Sequence, residues 1–162
     1  FFFKQKTAYE IRNCDWSSDV CSSDLAACQE AIVITTPEVS AVRDADRVIG
    51  LLNSQGVQPV QLVLNRVRPK MVANQEMLSV DDVTDILALP LLGLVVEDEQ
   101  VIVSTNRGEP LTLNGKGSPA ARAYRNVARR LRGESIPLVD PSRERRGLRA
   151  RLLAKLRPSS AS

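Results

Sequence analysis

Apolar and polar positions change their spacing several times between Glu30 and Gly133, and each change predicts an element. The run AIVITT between Glu30 and Pro37 is almost continuously apolar and rich in β-branched residues, as a strand buried on both faces of a parallel sheet requires. A helix should follow. Thr36 can cap it with Pro37 at its first position, Val39, Val42, Ile49 and Leu52 supply an apolar stripe, and Gly56 is placed to stop it. Val60 to Asn65 reads as a second buried strand, so strand, helix and strand make a βαβ unit with a right-handed crossover. Arg66 to Ser79 is polar and aperiodic and reads as a loop. Ser79 and Asp82 make a capping-box-like start for a helix ending near Leu87. Pro90 to Val96 is a third strand, followed by a helix over about Glu97 to Thr105 and a loop at Asn106 to Pro110. The last clear helix has Ser118 as cap, Pro119 at its first position, apolar Tyr124, Val127 and Leu131, and Gly133 as stop. Strands alternating with helices predict an α/β fold, half of an open, doubly wound parallel sheet.

Both ends fall outside this pattern. Phe1 to Leu25 has neither helical nor strand period, yet it holds Phe1, Phe2, Phe3, Tyr9 and Trp16, so that Tyr124 is the one aromatic residue elsewhere. Lys4 to Glu10 and Asp15 to Leu25 reverse-translate into the two arms of a common short-read sequencing adapter, with Ile11 to Cys14 where the sample index would lie. Residues 1–25 are therefore expected to be a disordered adapter artefact with no part in the fold, ahead of a domain over 26–140 and a basic tail over 141–162. Setting the leader aside changes the chemistry. Of three cysteines only Cys28 remains, which leaves neither a disulfide framework nor a cysteine metal site and points to the cytosol. The charge balance becomes 19 basic to 15 acidic residues. No apolar run approaches a membrane span, so any membrane contact should be peripheral.

The tail, Pro141 to Ser162, carries seven basic residues and one acidic. At helical spacing Leu148, Leu152, Leu153 and Leu156 fall on one side, with Arg151, Lys155 and Arg157 largely on the other. Arg149 intrudes on the apolar side, where its stem can lie flat while the guanidinium reaches lipid headgroups. A short basic helix of this kind lies in the membrane interface and is drawn to anionic lipid. The leucines speak against a merely solvated charge run, and the lack of aromatic stacking residues speaks against a nucleic-acid arm.

Sheets of this type bind ligands beyond the carboxyl ends of their strands, which places Thr35, Thr36, Asn65, Arg66, Glu97 and Asp98 on one rim. There is no His, no Ser in a nucleophile-elbow context, and no G-x-x-x-x-G-K-S/T loop to cradle a triphosphate. No catalytic residue and no metal ligand can be named from spacing.

Four segments, Thr35 to Leu52, Leu62 to Val72, Met77 to Leu87 and Val101 to Pro110, resemble the ParA/MinD family of ATPases in order and in register. The Met-Leu-Ser-x-Asp-Asp helix start and the Ser-Thr-Asn-Arg-Gly-Glu-Pro loop are similar to its division-site branch rather than to plasmid-partition members. The resemblance runs from about Ala26 to Ser162 and implies the C-terminal half of a P-loop NTPase-type sheet followed by a C-terminal amphipathic helix. Family members bind ATP with Mg, dimerise around two nucleotides, attach to the cytoplasmic face of the bacterial inner membrane through that helix, and recruit the division inhibitor MinC. The family's phosphate loop would lie upstream, so this chain is expected to be an inactive fragment that holds no nucleotide tightly.

By resemblance Asn65, with Arg66, matches the position that hydrogen-bonds adenine, and an amide supplies the paired donor and acceptor that the base edge needs. Val96, Glu97 and Asp98 resemble the second adenine-flanking loop, with Val96 where many members have Pro. Arg43, Asp44 and Asp46 match the helix at the dimer and MinC-facing surface. Leu148, Arg149, Arg151, Leu152, Leu153, Lys155 and Leu156 match the membrane helix, in which family tails often carry Phe near Leu148. Two other functions are open on the residues: a non-enzymatic fragment that only binds lipid, and a partition-type ATPase whose basic tail binds DNA.

Overall fold

The computed structural model describes residues 2–3, 28–115 and 117–140. Four strands, β1 (Phe2–Phe3), β2 (Ala31–Thr35), β3 (Val60–Val67) and β4 (Leu91–Val96), form one sheet in that order. β2, β3 and β4 run parallel, with Val33 opposite Leu62 and Leu64 opposite Leu94. β2 buries Ala31, Val33 and Thr35 on one face while Ile32 and Ile34 pack into the core on the other, and this two-sided burial is why the run is almost uninterruptedly apolar.

Helix α1 (Val39–Ser54) and helix α3 (Val80–Leu87) cover the first face. Their Val42, Ala45, Val48, Ile49, Leu52, Val83 and Leu87 join Val33, Leu62 and Leu64 in the larger core. Helix α6 (Pro119–Leu131) covers the other face, where Ala120, Ala123, Tyr124 and Val127 meet Val63, Leu92 and Val95. Two shorter helices, α4 (Glu99–Arg107) and α5 (Leu111–Asn114), lead to it, and a further short one, α2 (Pro69–Ala73), follows β3. The architecture is the α/β, doubly wound parallel sheet that the alternation of elements predicts.

Several local expectations are corrected. Thr36 and Pro37 do not start α1, which begins at Val39 with Glu38 as an uncapped N-cap. Pro37 is fully buried and its carbonyl accepts the Leu78 N–H at 3.2 Å, which holds it outside the helix. Val39 accordingly sits in the first turn, 62% exposed, and Ala45 and Val48 complete the buried stripe. Arg66 to Ser79 is not simply a loop: β3 continues to Val67, and Pro69 at the first position opens α2. The helix expected at Glu97 starts at Glu99 and runs to Arg107, closed by Gly108. Leu131 is exposed, and Ala120 and Ala121 are the buried positions of α6.

The expected stops and caps fare better. Gly56 and Gly133 take positive φ angles of 71° and 87° just past their helices, the left-handed turn that glycine makes without strain. The Ser79 hydroxyl accepts the Asp82 N–H at 3.1 Å and Asp82 accepts the Ser79 N–H at 2.9 Å, a complete capping box. Ser79→Ala should therefore cost about 1 kcal/mol, read as a lower midpoint in urea with an unchanged slope.

The backbone of Phe2 and Phe3 pairs antiparallel with Ile32 and Ala31, although the leader is set aside on sequence grounds. The edge of β2 away from β3 is the one they occupy, as the outward N–H and C=O groups of a strand allow for any extended segment.

Candidate functional site

The carboxyl ends of β3 and β4 are shaped by a bulge. Leu64 pairs with Leu94 and Val67 with Val96, so β3 advances one residue more than its neighbour across Asn65 and Arg66. Arg66 absorbs the extra residue at a φ of 55°, unusual for a side chain with a Cβ. The Asn65 Oδ1 accepts the Arg66 N–H at 3.0 Å and so holds the turn from within.

That turn aims two arginines at one carboxylate. Glu97, whose own N–H donates to the Val67 carbonyl at 3.0 Å, receives Arg66 Nη2 at 3.3 Å and Arg68 Nη2 at 2.8 Å on Oε1, while Arg68 Nε donates to Oε2. Hydrogen bonding from Arg68 holds the Glu97 carboxyl below the usual carboxylate range, partly offset by burial, with Arg66 adding to the lowering. The same pair raises Arg68. These groups remain well hydrated, with Arg66 61% exposed, so the cluster orders the rim more than it stabilises the fold. Arg68 is the rim residue that sequence reasoning missed. Its signal was the two-residue spacing from Arg66, which in an extended segment returns both side chains to one face.

Asp98 faces inward. Its Oδ1 accepts the Gln100 N–H at 3.0 Å, capping α4, and its Oδ2 accepts the Ser118 hydroxyl at 2.5 Å and the Ala120 N–H at 3.4 Å, at the start of α6. The Ser118 hydroxyl in turn accepts the Ala121 N–H at 3.1 Å. The Ser118 bond, opposed by burial and helped by the two backbone donors, holds Asp98 below its ordinary value.

Val96 closes β4 opposite Val67. Arg43, Asp44 and Asp46 line the exposed side of α1, where Asp44 is paired with Arg47 at 3.7 Å across a solvated helix turn. The structure thus gathers Asn65, Arg66, Val96, Glu97 and Asp98 at one end of the sheet and sets the α1 charges apart on a helix surface. Leu148, Arg149, Arg151, Leu152, Leu153, Lys155 and Leu156 lie outside the described residues. Among the described residues no helix is long and apolar enough to cross a membrane, and no group of His, Cys, Asp or Glu could hold a metal ion.

No family model matches the chain. Among curated proteins it is 47% identical over 138 residues to the septum site-determining protein MinD of Synechocystis, an alignment that covers 85% of this chain and 52% of that protein. Among solved structures it matches the MinD cell division protein of Aquifex aeolicus with a TM-score of 0.68 and 44% identity over 72% of this chain and 49% of that one. The Aquifex aeolicus MinC:MinD cell division protein complex gives the same TM-score and identity, over 71% of this chain and 47% of that one. The chain spans about half the length of these relatives.

The parallel sheet wound on both faces matches the ParA/MinD class of α/β folds. Within that class the relatives that the chain matches are septum site-determining MinD proteins, and the match is consistent with their C-terminal part.

Proposed function

We propose that the chain is the C-terminal part of a MinD-like ATPase that positions the division septum through ATP-dependent dimerisation, membrane attachment and recruitment of MinC. The observation that carries this reading is the 44% identity, over most of the described domain, to a MinD chain seen in complex with MinC. ATP with Mg is the cofactor of the intact protein, and the cytoplasmic face of the bacterial inner membrane is its place of work.

In this reading the rim serves the adenine. With Oδ1 already accepting the Arg66 N–H, Asn65 keeps a second lone pair and the two donors of Nδ2, the complement of an adenine edge. Arg66, Val96 and Glu97 frame that site, and Asp98 shapes it through the two helix starts it holds. The phosphate and metal chemistry falls to residues this chain does not offer, so its own ATP turnover is expected at background. Arg43, Asp44 and Asp46 form the surface for the second copy and for MinC.

The tail is the part expected to act alone. Flotation of the full chain with vesicles containing anionic lipid should exceed flotation with neutral lipid, and Leu152→Glu should abolish the difference. Flotation unaffected by Leu152→Glu would sink the apolar-face reading, and retention on DNA in place of anionic lipid would favour the partition-type alternative.

A further inference from the structure

A groove of about 640 Å³ opens where the first turn of α1, the helix α2 and the start of α3 meet. Its apolar lining comes chiefly from Met71, Val72, Met77 and Leu78, and Glu38, Glu76 and Asp82 add three carboxylates. The one cation in the lining, Arg68, is bound to Glu97. We propose that this groove is a docking site for the chain's own basic tail, with the leucines at 148, 152, 153 and 156 on the apolar floor and the flanking Arg and Lys beside the acidic residues.

Three observations choose this occupant over others. The charges are complementary, since the groove gathers carboxylates and Pro141 to Ser162 holds seven basic residues to one acidic. Size and character agree: the volume suits the apolar face of a short helix, and two methionines give a floor that adapts to leucine side chains, as in grooves that take amphipathic helices.

The third is position. Val139, one residue before the end of the described domain, shares a second cleft with Val96. The next residue after Val96 is Glu97, which bonds Arg68 in the groove wall. The chain therefore leaves the domain at the same end of the sheet as the groove. The eight residue-to-residue steps from Asp140 to Leu148 reach up to about 28 Å when extended, comparable with the span of a domain of this size.

The docked tail is withheld from lipid. Glu38 and Val39 line the groove at the start of the helix that carries Arg43, Asp44 and Asp46, so a partner landing on α1 would dislodge the tail and free it for the membrane. This last step rests on the proposed roles of the tail and of α1.

The test is amide hydrogen exchange on the full chain without lipid, comparing the native sequence with Leu152→Glu/Leu153→Glu. The informative amides are Asn74, Gln75 and Glu76, which close the exposed end of α2 beside the groove. A tail docked nine parts in ten slows their exchange roughly tenfold, and the double variant should lose that protection, as should addition of anionic vesicles. Glu38→Gln/Glu76→Gln should lose part of it.

Equal exchange in native and double-variant chains overturns the proposal. Protection that grows with protein concentration would assign the groove to the tail of a second copy and overturn docking within one chain. Flotation without tail-dependent protection sinks this inference alone, whereas tail-dependent protection with no flotation even of Glu38→Gln/Glu76→Gln, in which the tail is partly released, sinks the membrane reading and leaves this one standing.

Discussion

Asp98→Ala should lower the stability of the domain by about 2 to 3 kcal/mol, more than any other exposed or half-exposed substitution at the rim. The carboxylate satisfies N–H groups at the starts of two helices and holds the Ser118 hydroxyl that caps the second. A lost cap costs about 1 kcal/mol, and a hydrogen bond to a charged group contributes about 1.5 to 3 kcal/mol. The sum is discounted because the side chain is only half-buried. In a domain of this size the loss corresponds to a melting point lower by about 10 °C, measurable by circular dichroism at pH 7. Asp98→Asn keeps the acceptor oxygen and should lose about half as much.

The pH dependence follows from the direction of the shift. Asp98 is held below its ordinary value in the folded state, so its contribution is fully present above the unfolded value of about pH 4 and is lost as pH falls through the depressed folded value. The native chain should therefore lose stability below about pH 4 more steeply than Asp98→Ala. Parallel curves for the two proteins in that window, or an Asp98→Ala melt within a degree or so of the native one at pH 7, would remove Asp98 from its bridging role.

Asp98 also shows how far the sequence could be read. Its place at the carboxyl end of a predicted strand put it on the rim, and it is there. Its partners were not legible, because Ser118 and Ala120 lie twenty residues and more downstream and meet it only once α6 has packed on the sheet. The same division runs through the fold. The strands at Ala31, Val60 and Leu91 and the capping box at Ser79 depend on patterns within a few residues, and each can be found without tertiary information. The start of α1 depends on the Leu78 N–H taking the Pro37 carbonyl, and the Asn65–Arg66 bulge depends on the register of β3 against β4. Local propensity cannot announce either. Arg68 belongs between these cases, since its two-residue spacing from Arg66 was visible and its target, Glu97, was not.

Gly93→Val should be the most damaging single change in the described domain. Glycine inside a strand gives up about 0.5 to 1 kcal/mol relative to alanine, so its presence in β4 calls for a close neighbour. That neighbour is α6: a Cβ on Gly93 would lie 2.2 Å from Val127 Cγ2 and 3.6 Å from Val127 Cβ. Valine in a helix is nearly confined to one rotamer, so the contact cannot be relieved by swinging the side chain, and the helix itself must move. Overpacking of this kind costs about 1 to 3 kcal/mol for one added methyl group. Gly93→Ala should fall in that range and Gly93→Val beyond it.

The displacement would reach further than the clash. Arg130, one turn along from Val127, donates to the carbonyls of Leu92, Ile136 and Pro137 at 3.0, 2.9 and 2.9 Å, and burial lowers its guanidinium from its ordinary value while leaving it charged. Lifting α6 off β4 breaks the first of these bonds and loosens the other two, which tie down the segment leading to the tail. Gly93→Ala should therefore speed proteolysis after Arg132, whereas Gly93→Ala/Val127→Ala, which removes the opposing methyl group, should recover most of the stability and the resistance. A double variant that is merely additive with Val127→Ala would show that the close approach of α6 is not the reason glycine stands at this position.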